Sequence, residues 1–258
     1  MKLSFAFAPN RGFALLDVVV ACSVAGALVT LILVQNKNGH ERALRTSCVK
    51  NVRQLQFALT QYLADHNGVF PIDRGAQVDG QWRTLQGWVV GNAKSSGTLD
   101  SLTRGAIYPY VRSIEPYRCP SDKSLLFDGP QPRLRSYSLN LAVSSHSHGA
   151  TFVAVRLSNI PQPQRVFSFI DEESISINDG AFAVHPLETQ AWWDVPADRH
   201  HQGGTLAFLD GHAEYWQWRA PKHGTPPGSP PQSAEDDADL HQLRTVAFLR
   251  QPQNWTNP

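Results

Sequence analysis

The stretch Arg11-Gly12-Phe13-Ala14-Leu15-Leu16-Asp17-Val18-Val19-Val20 decides how the rest of the chain is interpreted. It opens an apolar run that extends from Phe13 to Val34, and residues 18–34 carry no charge. An apolar run of this length is sufficient for a helix that crosses a bilayer. Asp17 interrupts the run, and because an acid is costly in lipid, it is a candidate functional residue.

The residues around Gly12 follow a known pattern. A short leader with Lys2 and Arg11 ends at Gly12; Phe13, an acid five residues into the run and an apolar helix then follow. This order resembles the N-terminus of type IV prepilins and of the pseudopilins of type II secretion. The resemblance implies cleavage by a prepilin peptidase between Gly12 and Phe13, N-methylation of Phe13, and assembly with other pilin or pseudopilin subunits. Asp17 stands where that family has Glu, so the resemblance assigns it the assembly contact through a side chain one methylene shorter.

Two other interpretations of the N-terminus exist. A secretory signal peptide has an apolar region of about 7–15 residues followed by a small-residue cleavage site, whereas this run is longer and no Ala-x-Ala follows it. An ordinary signal anchor remains an open alternative. Basic residues are more numerous after the run than before it, and by the positive-inside rule alone the C-terminal side would be cytoplasmic. The resemblance implies the reverse, a single-pass inner-membrane protein with a periplasmic C-terminal domain.

Composition limits the partners and the cross-links. The chain has 258 residues and a formal net charge of +1, so no global field predicts a nucleic-acid partner. Cys22 lies in the apolar run, whereas Cys48 and Cys119 would both face an oxidising compartment, where disulfides persist. We therefore expect a Cys48–Cys119 disulfide, although three cysteines do not by themselves define a framework.

After the apolar run the sequence keeps a helical period. Apolar residues recur at spacings of three and four, which indicates one buried helix face; they are Val49, Val52, Leu55, Leu59 and Tyr62. Asn67-Gly68 followed by Pro71 is a stop signal. The sequence predicts one helix from about Phe13 to His66, with a break near Asn36–Gly39, where helix formers are weak.

Strand signals begin at Thr151. Three segments, Thr151–Leu157, Arg165–Ile170 and Ala181–Val184, are predicted strands. Gly204–Leu209 and His212–Trp218 flank Asp210-Gly211, which favours a hairpin with a two-residue type I′ turn. In that register Leu206, Phe208, Ala213 and Tyr215 share one face.

These patterns predict an α+β, pilin-like fold in which a long N-terminal membrane-spanning helix packs on an antiparallel β-sheet head domain. Its predicted parts are a leader (1–12), the transmembrane half of the helix (13–35), an amphipathic periplasmic half (36–70), a β-rich head (71–219), and a Pro-rich linker with a C-terminal tail (220–258). Acidic residues 235–239 favour a helix start. That helix could dock back, meet a partner, or form a loosely held tail.

Several motifs resemble one branch of prepilin-like proteins, common in planctomycete-type bacteria, that carries an H-x9-DG signature. His200, nine residues and then Asp210-Gly211 match that signature. Three further stretches add to the resemblance, namely Ser47–Pro71, Cys119-Pro120-Ser121-Asp122 and Ser136-Tyr137-Ser138-Leu139-Asn140.

Two interpretations of the signature differ in chemistry. His200 with the carboxylates of Asp171 and Glu172 could hold a cation, and the resemblance extends to pseudopilins whose head domains bind calcium. Alternatively, the turn alone requires Asp210-Gly211, and His200 tethers its loop to the hairpin by a hydrogen bond to Asp210. We predict the second, and therefore no cofactor, with a calcium or other metal ion as the alternative.

No sequence motif indicates catalysis. The chain contains no P-loop, nucleophile elbow, HExxH or CxxC pattern, and residues 144–148 are expected to be a solvated loop. The predicted function is a structural subunit of a type IV pilus or a type II secretion pseudopilus. The alternative is a membrane-anchored periplasmic binding or enzyme domain delivered by a prepilin-type leader, which would need a pocket with convergent polar groups.

Overall fold

A computed structural model describes residues 15–72, 87–148, 151–185 and 190–247; within these, the side chains of residues 16–17, 28–38, 146–148 and 151–153 are not described. The predicted cleavage site, Gly12 and Phe13, lies outside the described residues. Internal contacts divide the chain into two units, Met1–Ala43 and Leu44–Pro258. Each unit is described on its own.

The first helix, α1, runs from Leu15 to Asp65. It is continuous through residues 36–39, so the predicted break is wrong. The helix propensities of the residues there differ by at most about 1 kcal/mol, which is too little to interrupt a helix that continues on both sides. At its end Gly68 donates to the carbonyl of Leu63 at 2.7 Å, and positive φ at Asn67 and Gly68 turns the chain away. The predicted stop signal is therefore correct to within one residue.

The described helices include none that is both long and apolar enough to cross a membrane. From Gly39 onward the helix carries many charged side chains. The predicted membrane-spanning helix over residues 13–35 is therefore corrected, and so is the single-pass inner-membrane location that depended on it.

The second unit is built on a five-stranded sheet. In chain order its strands are β1 (Tyr137–Asn140), β4 (Phe167–Asp171), β5 (Ala181–Phe182), β6 (Gly203–Phe208) and β7 (Ala213–Gln217), and β2 (His146–His148) pairs with β3 (Thr151–Val153) in a separate ribbon. The spatial order is β5-β1-β4-β6-β7. Because β5 pairs with β1 in parallel and the other pairs are antiparallel, the sheet is mixed. The α+β class is confirmed, but the purely antiparallel sheet is corrected.

The hairpin between β6 and β7 has a three-residue loop. Phe208 donates to the carbonyl of His212 at 2.9 Å and accepts from Gly211 at 3.0 Å. Only Gly211 has positive φ, +101°, which is the arrangement of a turn closed by a glycine bulge. The predicted type I′ turn is wrong, and the register shifts by one residue. Thr205 therefore faces Tyr215, while Leu206 faces Glu214.

The sheet buries both faces. One face packs on α1 through Leu139, Phe169 and Ala207, opposite Val52 and Leu55. The other face packs under Trp and Leu side chains that include Trp192, Trp218, Leu240 and Leu243. A bulge between Phe167 and Phe169 places these two rings on opposite faces. Phe169 packs in the core on the α1 side, and Phe167 and Ile170 pack in the other core.

Short helices complete the second unit. They are α2 (Asp100–Thr103), α3 (Tyr108–Val111) and the 3₁₀ turns Glu115–Tyr117, Leu157–Asn159 and Pro163–Arg165. The last described helix, α4, runs from Ala234 to Arg244, and the Ser233 hydroxyl caps it by accepting from the Asp236 amide. Leu240, Leu243 and Ala247 are buried in the second core, so α4 docks back on its own sheet.

Candidate functional site

The segment that leads into β6 makes a tight left-handed turn. His201 and Gln202 have φ values of 51° and 60°, a conformation that non-glycine residues seldom adopt. The Tyr215 hydroxyl stabilises this turn by donating to the carbonyl of His200 at 2.6 Å. Gly203 follows because a Cβ atom there would collide with that same hydroxyl. The geometry of this turn therefore requires glycine at residue 203 and holds the main chain of His200 in place.

His200 lies against a disulfide. Its side chain is 1% exposed, and its Nε2 is 3.2 Å from Sγ of Cys119. Cys119 is bonded to Cys48 of α1, with the two Cα atoms 5.2 Å apart. The expected Cys48–Cys119 disulfide is thus present in the structure. It links α1 to the loop before Pro120.

The expected hydrogen bond between His200 and Asp210 is not formed. Asp210 instead accepts from the amide of His212 at 3.2 Å and contacts its ring Nδ1 at 2.5 Å. His200 precedes β6 and Asp210 follows it, and six residues of extended strand span roughly 17 Å. His200 and Asp210 therefore lie at opposite ends of β6. Their spacing in the sequence alone did not show this.

Arg199, next to His200, organises a buried ion-pair network. Its guanidinium pairs with Asp171 at the end of β4, lies 3.6 Å from Asp122 and donates to the carbonyl of Glu172 at 2.8 Å. Ser136 donates to Asp122 at 2.6 Å. Burial alone would raise the pKa of Asp122, but Arg199 and the serine donors hold that pKa below its ordinary value. Burial raises the pKa of Asp171 to about 7, against the attraction of Arg199.

Glu172 forms a second buried centre. The carboxylate is fully buried, accepts from the Ser138 hydroxyl, and has one oxygen, Oε1, without a hydrogen-bond partner. Burial raises its pKa well above the ordinary value, and the charge of Asp194 raises it further, while Ser138 and Arg135 lower it. Burial likewise raises the pKa of Asp194 to about 7. Burial therefore favours the protonated forms of this pair of carboxyl groups.

Most of the motifs that the sequence singled out meet in this one region. The five segments are Cys48, Cys119–Asp122, Ser136–Ser138, Asp171–Glu172 and Arg199–His200, and they come from α1, a loop, β1, β4 and the turn before β6. Their polar atoms bond to one another. The disulfide joins the Leu44–Asp65 part of α1 to this region, and the other contacts hold the loop, β1, β4 and the turn before β6 together.

The predicted cation set is not assembled. Asp171 pairs with Arg199, Glu172 with Ser138, and His200 with the disulfide. In the described part of the chain, two groups of side chains have metal-ligand spacing, the buried set of Cys48, Cys119 and His200 and the set of Glu173, Asp198 and His223. The first is closed to a metal as it stands, because its two sulfurs are bonded to each other.

A buried lysine was missed by sequence reasoning. Lys222 is 0% exposed, and its Nζ donates to Asp236 at 2.6 Å and to Asp239 at 2.7 Å. The ammonium also lies 5.0 Å from the ring of Trp192 and 5.8 Å from that of Trp218. The Pro/Gly/Ser-rich composition around Lys222 is typical of a linker, and no local signal marked this residue as buried.

The alternative function, a binding or enzyme domain, would need a pocket with convergent polar groups. A surface groove of about 400 Å³ lies beside α1 and is lined by Lys50, Phe57, Tyr110 and Glu115 among others. The amide of Asn51, also in its lining, is bonded to the main-chain carbonyl of Arg118 at 2.9 Å. Its lining also includes the polar side chains of Gln54 and Ser113.

The predicted solvated loop at residues 144–148 is wrong. Ser144 and Ser145 are 1% and 0% exposed. The Ser145 hydroxyl accepts from the amide of Val155 at 3.0 Å, and the Ser145 amide donates to the carbonyl of Pro71. Ser145 thus ties two loops together, and its hydroxyl is occupied by a structural hydrogen bond.

Comparisons of this chain with protein-family models, with curated proteins and with solved structures gave no match. The interpretation of the site therefore depends on its own geometry.

Glu172 and Asp194 lead to a prediction about pH. Because burial raises the pKa of both groups in the folded chain, these two groups bind more protons in the folded state than in the unfolded state. Their contribution to the free energy of unfolding therefore falls as pH rises above their ordinary pKa values. The Glu172→Gln variant is expected to reduce this slope by up to about 1.4 kcal/mol per pH unit, the value for one proton. Urea denaturation at a series of pH values measures the slope.

The matched control is Glu115→Gln, which changes an exposed carboxylate in the same way and is expected to leave the slope unchanged. Equal slopes for wild type, Glu172→Gln and Glu115→Gln would show that Glu172 is ionised in the folded chain.

Proposed function

We propose that this chain is a prepilin-like structural subunit of a type IV pilus or a type II secretion pseudopilus, cleaved after Gly12 and N-methylated at Phe13. Its partners are a prepilin peptidase and other pilin or pseudopilin subunits. The order of Gly12, Phe13, Asp17 and the apolar run supports this proposal.

One structural observation carries the proposal. The described side chains near the start of α1 are apolar and uncovered: Leu15 is 85% exposed, Val18 50%, and Val19, Val20 and Val24 54% each. Contiguous apolar surface of this kind marks a site that is covered by a partner. The equivalent helices of neighbouring subunits are apolar in the same way, and a bundle of such helices would bury these side chains.

The buried polar contacts of the second unit support the same proposal. The disulfide ties the Leu44–Asp65 part of α1 to the loop before Pro120. The buried carboxylates and His200 tie that loop, β1, β4 and the turn before β6 to one another. Ties of this kind suit a subunit that must keep its head domain fixed to its helix when it is packed among copies of itself.

Asp17 provides the experiment that tests the proposal. A carboxylate within a packed apolar helix requires a cationic partner, and the methylated amine of a neighbouring subunit would supply it. In cells that contain a prepilin peptidase and the assembly proteins, Asp17→Ala is expected to be cleaved normally but to fall at least tenfold in sheared filaments. Quantitative immunoblots of the sheared fraction and of whole cells measure both effects.

Two controls make this experiment specific. Asp17→Glu, which restores the family residue, should incorporate at least as well as wild type. Asp128→Ala removes an exposed acid of the second unit and should have no effect. If Asp17→Ala entered filaments as wild type does, the carboxylate would have no role in assembly.

A further inference from the structure

Glu173, Asp198 and His223 converge at the surface of the second unit. Glu173 lies two residues after the end of β4, Asp198 precedes the Arg199-His200 pair, and His223 follows the buried Lys222. One oxygen from each carboxylate and one imidazole nitrogen all lie within 4.8 Å of one another. This set is separate from the ion-pair network of Arg199, although Glu173 is the chain neighbour of Glu172.

The backbone around the three residues is fixed. Oδ2 of Asp198 accepts from the amides of Lys222 and His223 at 2.8 and 3.0 Å, and the amide of Glu173 donates to the carbonyl of Val195 at 2.8 Å. Lys222 is itself held by Asp236 and Asp239. The carboxylates are therefore positioned before any ligand binds, while the His223 side chain, 81% exposed, is free to rotate towards a ligand.

The charge on Glu173 is the independent observation that points to a cation. Glu173 is only 3% exposed, and within the described residues its one ion-pair contact is Nδ1 of His223 at 3.3 Å. The charges of Arg133 and Arg199 interact with it, but neither guanidinium lies within ion-pair distance. Glu173 accepts from the Ser174 hydroxyl at 2.7 Å, as Glu172 accepts from the Ser138 hydroxyl, but unlike Asp171 it has no arginine of the described residues within ion-pair distance. A buried carboxylate normally requires a cationic partner or a metal.

The ligand types select the class of ion. Calcium and magnesium take oxygen ligands and require several of them, whereas one imidazole with two carboxylates suits zinc and similar first-row divalent ions. A fourth position would remain for water, because His223 lies at the surface. We propose that Glu173, Asp198 and His223 bind a divalent transition-metal ion, with Zn²⁺ as the preferred ion. The site is independent of the proposed function and would survive its failure.

The thermal unfolding of the purified, untagged full chain tests this site. Zinc chloride at about 100 times its dissociation constant should raise the unfolding temperature by several degrees, because the ion binds only the folded state. The rise should be lost in His223→Ala, which removes an exposed ligand without opening the core. Equilibrium dialysis against zinc should give one ion per wild-type chain and none per His223→Ala chain.

His212→Ala is the matched control. His212 is also a surface histidine beside two carboxylates, Asp210 and Glu214, but these contact its two different ring nitrogens and do not converge. This variant should keep the full zinc-dependent rise. The proposal is overturned if zinc has no effect on wild type, or if His223→Ala keeps the rise. A calcium-dependent rise that His223→Ala abolishes would overturn the assigned class of ion.

Discussion

The Lys222→Met variant is expected to have a free energy of unfolding about 3–5 kcal/mol below that of wild type. Methionine has a similar length and would fill the space between the rings of Trp192 and Trp218. It would, however, leave the carboxylates of Asp236 and Asp239, which are 2% and 0% exposed, without their shared cation. The loss comes from two buried charges that lack a partner rather than from a cavity.

Urea denaturation of three variants separates these causes. Lys123→Met makes the same change at an exposed position and should shift stability by less than about 0.5 kcal/mol. Combining Lys222→Met with Asp236→Asn and Asp239→Asn should recover part of the loss, because amides can still accept the bonds from Trp192 and from the Ala220 amide. A Lys222→Met variant as stable as Lys123→Met would contradict the ion-pair account.

The Cys48→Ala/Cys119→Ala double variant is expected to lose about 4 kcal/mol of stability. The two residues are 71 positions apart, so the cross-link restricts a long loop of the unfolded chain and its removal restores that entropy. The contact between His200 and Sγ of Cys119 is lost as well. The midpoint of urea denaturation under non-reducing conditions measures the change.

Cys22 provides the control for the disulfide. It is free and exposed, so Cys22→Ala should leave the denaturation midpoint unchanged. Thiol labelling of the denatured, non-reduced wild-type chain should modify Cys22 alone. Labelling of Cys48 and Cys119 under the same conditions would show that the disulfide is absent.

Local patterns were informative wherever one element determines its own structure. The spacing of Val52, Leu55 and Leu59 predicted the buried face of α1, and all three are 0% exposed. Asn67-Gly68 predicted its end. Both strands of the last hairpin were located to within one residue at all four of their ends.

Register and long-range partners could not be obtained in this way. The Asp210-Gly211 pair is compatible with a two-residue turn and with a three-residue loop closed by a glycine bulge, and the two differ by one residue in register. The predicted cross-strand partner of Tyr215 was therefore wrong by one residue, although the strand that contains Tyr215 was predicted correctly.

The candidate sites depended even more on distant residues. Lys222 is buried because two acids of α4 and two tryptophans surround it, and its own neighbours in sequence, Pro221 and His223, do not indicate this. His200 was recognised as important, but its partner is Cys119 and not the signature residue Asp210. Glu173, beside the predicted pair Asp171 and Glu172, gained its candidate role only from the placement of Asp198 and His223.

The intact mass of the chain, measured after expression with a prepilin peptidase and recovery from sheared filaments, tests the central claim most directly. The claim predicts a single species with the mass of residues 13–258, less two hydrogens for the disulfide and plus one methyl group on Phe13. A chain in the same cells that retains Met1–Gly12, or that begins at any residue other than Phe13, would contradict it.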